Sequence, residues 1–142
     1  MAIEQNKDVV RRYFDAVNST QPDRVMALLA DDFHFKAMLR EPDWLGGEMG
    51  REKFSSAMVA MSDLMTSPIQ MQIVSMTAED DRVAVEATSY GPMKAGPAYA
   101  NSYHFVFRVR DEKIFEVLEY SCSYHAAQIF GRFFAEQIFT AE

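Results

Sequence analysis

A single cysteine, Cys122, stands among the 142 residues. No internal disulfide can form, so the core alone must hold the fold. With no cationic neighbour in sequence to activate it, Cys122 reads as a small hydrophobe on an outer face. The three histidines, His34, His104 and His125, lack metal-ligand spacing, and no metal is expected. His104 is expected at a subunit interface and His125 at the last helix. No GxGxxG, P-loop or GxSxG pattern occurs, so nucleotide and serine-hydrolase chemistry lack support and no cofactor is expected. Basic residues are few, 14 Lys and Arg against 21 Asp and Glu for a net charge of −7, and they are scattered. Counterion release on phosphate needs clustered cations, so nucleic acid is not an expected partner, and neither is an anionic membrane surface. No apolar run reaches the ~18 residues of a membrane helix. The first residues are polar, with no signal-peptide apolar region, and the expected location is cytoplasmic.

What the chain does have is bulk. Hydrophobic residues make up 49%, including eleven Phe, six Tyr and ten Met. That length and composition fit one domain, residues 1–142, with a sizeable core. Methionine suits irregular cavities. Val9, Val10, Tyr13, Phe14 and Val17 form a helical stripe between Asn6 and Ser19. Pro22 opens a second helix with Val25, Met26, Leu28 and Leu29 buried, ended by Asp31-Asp32. Phe33 to Leu39 alternates as a strand. Residues Arg40 to Gly50, with Pro42 and three glycines, read as a loop that carries Trp44. Arg51 to Met65 is helical, with Phe54, Met58, Met61 and Met65 on one face.

Beyond Pro68 the period changes to two. Strands are expected over Ile69–Thr77, Arg82–Tyr90, Ala98–Arg110 and Lys113–Cys122, and a helix over Tyr124–Thr140. Three helices and an early strand, then a run of antiparallel strands, then a helix, give an α+β class with helices on one sheet face. A strongly curved antiparallel sheet leaves a hollow between sheet and helices.

Two stretches carry a family likeness. Val9-Val10-Arg11-Arg12-Tyr13-Phe14-Asp15-Ala16-Val17-Asn18, with Ala27-Leu28-Leu29-Ala30-Asp31-Asp32-Phe33, resembles the opening of ketosteroid isomerase and its relatives. Tyr103 to Ile114, then Glu119-Tyr120, resembles the last hairpin of SnoaL-type polyketide cyclases and limonene epoxide hydrolase. Gly50-Arg51-Glu52 is similar to the start of the third helix in this group. The resemblance, to the nuclear transport factor two superfamily, covers nearly the whole chain. It implies a cone-shaped roll with a pocket at its wide end and a homodimer through the outer sheet face. Fold does not fix chemistry, so each inherited site is tested by residue.

Ketosteroid isomerase needs a carboxylate base, a Tyr donor and a protonated Asp; its acid chemistry is a worked example of carboxyl tuning. The resemblance puts the donor on Tyr13, the base on Ala37 and the second donor on Tyr103. Alanine cannot accept the proton, so that isomerisation is not expected. The Asp–Arg–Asp set of limonene epoxide hydrolase falls on Ala87, Ser89 and Glu119, which keeps one carboxylate, and serine is too weak an acid to open an epoxide. SnoaL-type cyclases ask for least, one carboxylate in a shaped apolar pocket, and Glu119 meets that demand. Many of them carry Asp where Cys122 stands.

Strand alternation puts Val117, Glu119 and Ser121 on one face, and the resemblance turns that face inward. A carboxyl in an apolar hollow acquires the raised pKa of a general acid/base. Two other readings stand beside this: a bulge turning Glu119 outward, or a structural hydrogen bond to Tyr103 or Asn101. Asn101, Tyr103, Phe105 and Phe107 share the inner face of the neighbouring strand. The expected catalytic set is therefore Glu119, Tyr13 and Tyr103, with Glu119 moving the proton and the two tyrosines, with Asn101, orienting the substrate oxygen. Asn101, Trp44, Ser89, Phe35, Phe54, Met58 and Val117 are the expected substrate contacts; Trp44 reads either as part of a loop covering the pocket mouth or as a pin that holds its loop to the body. The leading reading is a cofactor-independent acid/base enzyme of cyclase, isomerase or hydratase type, acting on a hydrophobic ring-bearing or polyketide-like molecule. The alternatives are a binding module for an apolar metabolite and an interaction protein whose pocket is filled, with Phe130, Phe133, Phe134 and Phe139 docking on a partner. The expected dimer face comprises Thr88, Tyr90, His104, Val106, Leu118 and Tyr120.

Overall fold

The computed structural model describes residues 2–19 and 21–139, with side chains up to residue 131. Helix α1 spans Ala2–Asn18 and buries Val9, Val10, Tyr13, Phe14 and Ala16. These positions recur three or four apart and so fall on one helix face. Helix α2, Pro22–Met26, starts with Pro at its first turn and Asp23 beside its positive end. It is followed by β1 (Leu29–Ala37), a 3-10 turn (Asp43–Leu45), β2 (Gly47–Gly50) and α3 (Arg51–Ser62). The second half is two hairpins, β3 (Gln70–Glu79) with β4 (Arg82–Tyr90) and β5 (Ser102–Arg110) with β6 (Lys113–Ser121), and then α4 (Ser123–Phe139).

The six strands form one sheet in the order β2-β1-β6-β5-β4-β3. Its pairings are antiparallel except β1 with β6, which run parallel. That closure between the first long strand and the last brings Ala37 opposite Glu119. The sheet is curved but not closed, and the chain has the α+β cone architecture expected of it. The core lies between the concave face and helices α1 and α3. Tyr13, Phe14, Phe105 and Phe107 pack there edge to face, with ring centroids 5.3–5.7 Å apart.

Several boundaries differ from the sequence expectation. The second helix ends at Met26, not Asp31, because residues 27 and 28 form a turn that leads into β1 at Leu29. The Leu28 carbonyl accepts from Ile114 N at 2.8 Å, and Leu29 pairs with Ile114. The loop expected from Arg40 to Gly50 contains β2, which is short, glycine-flanked and without alternation. Helix α3 ends at Ser62. The strand expected from Ala98 begins at Ser102, with Tyr99 held only by a bridge to Gly91. Helix α4 kinks at Gly131, where φ is +67°. The expected partner contacts of Phe133, Phe134 and Phe139 lie outside the described side chains.

Candidate functional site

The hollow between sheet and helices is a cavity of about 230 Å³. The described side chains therefore do not fill it. Phe35 and Ala37 from β1, Tyr13 from α1, Phe54 and Met58 from α3, and Tyr103, Phe105 and Glu119 from the last hairpin all face it. Five methionines, Met49, Met58, Met61, Met65 and Met71, give the wall an adaptable surface. Glu119 is the one charged residue in the described lining.

Glu119 reaches the cavity because the alternation of β6 is intact where it matters. Register slips in the last hairpin, but at Arg108/Val109, and beyond that point Val117, Glu119 and Ser121 pair with Phe107, Phe105 and Tyr103. The outward rotation that a bulge at Glu119 would cause does not occur. On the other side its neighbour is Ala37, whose short side chain leaves the carboxyl uncrowded. No side chain among the described residues hydrogen-bonds this carboxyl, which excludes the structural bond to Tyr103 or Asn101. With no counter-charge beside it among the described residues, burial disfavours the ionised form and pushes the pKa from 4.5 up to about 7.

Three phenols feel the Glu119 charge. Tyr13 is raised by burial and then by Glu119. Tyr99 is pushed up to about 12 by burial and then by Glu119, and Tyr103 is raised by burial, Tyr99 and Glu119. All three remain protonated donors at neutral pH. Tyr103 donates to Tyr99 at 2.9 Å, and its oxygen lies 2.9 Å from Ser89 Oγ. Asn101 N donates to Ser89 Oγ at 3.3 Å. The Asn101 amide serves the fold: Nδ2 donates to Tyr99 OH at 3.0 Å and to the Cys122 carbonyl at 3.2 Å, while Oδ1 accepts from Ser102 N and Cys122 N. Both donors and both lone pairs are used. His125 accepts from Ala100 N at 3.0 Å and stacks on Tyr99. No cluster of metal-binding residues occurs among the described residues.

The expected set thus divides. Glu119, Tyr13, Tyr103, Phe35, Phe54 and Met58 line the cavity. Asn101, Ser89, Val117 and Trp44 do not. Asn101 and Ser89 are spent on internal hydrogen bonds, Val117 is fully buried beneath the wall, and Trp44 packs against the core from outside. Tyr99 was missed. It shares the parity of Asn101 and Tyr103, so extending the inner face two residues upstream would have found it.

The comparisons agree with this geometry. A structure of PrhC from Penicillium brasilianum superposes with a TM-score of 0.84 at 12% identity, covering 99% of this chain and 95% of that one. An LEH-like epoxide hydrolase of M. tuberculosis gives 0.75 at 17% identity, over 90% of each chain. A Catenulispora acidiphila protein with a ketosteroid isomerase-like fold, in complex with trimethylamine, gives 0.66 at 26% identity, over 79% of this chain and 83% of that one. No curated protein sequence matches significantly. The family model for the SnoaL-like domain matches residues 10–117, stopping just short of Glu119. With that span over most of its length and this architecture around the cavity, the chain belongs to the SnoaL-like domain family.

Proposed function

We propose that this protein is a cofactor-independent acid/base enzyme acting on a neutral, hydrophobic, ring-bearing or polyketide-like molecule, with Glu119 moving the proton. One observation carries the reading: a carboxyl with no hydrogen-bond partner among the described residues faces an apolar cavity, where burial pushes its pKa up to about 7. A general acid/base works best when its pKa lies near the operating pH. With no Lys, Arg or His in the described lining, the site disfavours anionic substrates. The epoxide-hydrolase set is incomplete here, because Ala87 and Ser89 occupy two of its positions and Ser89 is bound to Tyr103. The chemistry proposed is abstraction and return of a proton next to a carbonyl, the step shared by cyclisation, isomerisation and hydration.

The test is exchange of the α-hydrogens of acetophenone in D₂O, followed by proton NMR. The protein is expected to accelerate exchange, and Glu119→Gln to lower the rate by roughly 10²–10⁴-fold, the usual worth of a positioned base. Unchanged exchange in the variant removes the mechanism.

A second reading has its own support. An uncompensated carboxyl among aromatic rings is also a receptor for a hydrophobic amine, held by charge and by cation–π contact. The Catenulispora acidiphila protein, which has a ketosteroid isomerase-like fold, is in complex with trimethylamine. Saturable binding of trimethylamine, lost in Glu119→Gln, without any catalysed exchange would select the binding module.

No described helix is long and apolar enough to cross a membrane. We place the protein in the cytoplasm, where an exposed lone thiol such as Cys122 stays reduced. We further propose that two copies pair through the outer sheet face, where Tyr90 and Tyr120 are 55% and 42% exposed beside Val106 and Leu118.

A further inference from the structure

The hydrogen bonds behind the cavity have a direction. Asn101 N–H donates to Ser89 Oγ, so the Ser89 proton is free for the Tyr103 oxygen. Tyr103 donates its proton to Tyr99. Tyr99 already accepts from Tyr103 and from Asn101 Nδ2, and its own proton has no acceptor among the described residues. Tyr99 lines the cavity. Each donor in such a chain polarises the next, so the last O–H is the strongest donor. The Asn101 amide, bonded four ways across the ends of β5 and β6, anchors the chain. Tyr13 lacks this arrangement, since no described group hydrogen-bonds its hydroxyl.

We propose that Tyr99 is the oxygen-binding residue of this site, taking the carbonyl oxygen of a neutral ketone, with Ser89 and Tyr103 as positioning residues that polarise it. The inference rests on Glu119 acting as the base. Glu119 takes the α-proton, the C–H pair becomes the C=C bond of an enolate, and the carbonyl π pair moves to the oxygen held by the Tyr99 O–H. Protonation at carbon returns the proton from Glu119 and restores the carbonyl. Burial keeps Tyr99 protonated throughout the working range. Preorganised donors aimed at a developing oxyanion supply much of the acceleration in such reactions.

The experiment reads the carbonyl stretch of bound acetophenone by infrared difference spectroscopy, alongside its α-exchange. In the unmodified protein the stretch falls relative to acetophenone in hexane. Tyr99→Phe returns it toward the hexane value and lowers exchange by about 10²-fold, the scale of one lost oxyanion donor. Tyr103→Phe, which cuts the chain while leaving Tyr99 in place, gives a partial return. Tyr13→Phe leaves the stretch in place. Glu119→Gln lowers exchange by roughly 10²–10⁴-fold but keeps the lowered stretch, which separates a failure of the base from a failure of the donor. A stretch that survives both Tyr99→Phe and Tyr103→Phe, or is lost in Tyr13→Phe, overturns the proposal. So does a bound carbonyl with no lowering in the unmodified protein.

Discussion

Glu119 sets its own pH dependence. Its pKa is raised from 4.5 to about 7 by burial, so the folded state holds a proton that the unfolded state releases between those values. The contribution of Glu119 to folding stability is therefore fully present below about pH 4.5 and is lost as pH rises through 7. At roughly 1.4 kcal/mol per pKa unit, the loss amounts to about 3 kcal/mol. Glu119→Gln, which carries no charge at any pH, should match the parent protein at pH 4 and exceed it by up to about 3 kcal/mol at pH 8, read by urea denaturation at both pH values. Base activity runs the other way and rises through pH 7. Strand parity grouped Glu119 with Val117 and Ser121, and the family resemblance turned that face inward; the alternation holds because the register slip lies elsewhere, at Arg108/Val109. The role of Asn101 was not legible, because its partner Cys122 lies 21 positions away and only the fold brings their backbones together.

Two small devices hold the elements that shape the cavity. Asn18, at the end of α1, grips the edge strand β3 like an added strand residue: its Oδ1 accepts from Met71 N at 2.6 Å and its Nδ2 donates to Met71 O at 2.9 Å. Asn18→Ala should cost roughly 1–3 kcal/mol by leaving two edge groups unpaired. It should also weaken binding in the cavity that Met71 lines, both measurable by denaturation and by acetophenone titration. The turn joining β5 to β6 puts Asp111 and Glu112 at φ of 52° and 63°. Two-residue turns of this hand favour glycine at the second position. Glu112→Gly should raise stability by about 1 kcal/mol in thermal unfolding, since it relieves a left-handed non-glycine residue. The elements legible in sequence were the long hairpin strands and α1, where periodicity extends over many residues. Leu28-Leu29 misled because apolar pairs fit a helix face and a buried strand equally. Only the parallel pairing with β6 decides between them.

At the scale of the molecule, the sequence disclosed the architecture because many weak signals agreed. The change of period after Pro68, the Phe- and Met-rich core and the two family-like stretches all required a bent sheet over helices. It did not disclose the cavity between the described side chains, which depends on volumes summed across helices and strands from both halves of the chain. The outer face carries the proposed dimer. Sedimentation at micromolar concentration should give twice the monomer mass, and Val106→Asp with Tyr120→Asp should give the monomer, because two buried carboxylates are too costly to desolvate. The account as a whole turns on a proton-holding acid in a dry hollow. Its most direct measurement is an NMR titration of the Glu119 side-chain carboxyl carbon, assigned by its loss in Glu119→Gln. A midpoint near pH 7 is predicted; a midpoint near the ordinary 4.5 would show the carboxyl to be solvated and contradict the mechanism.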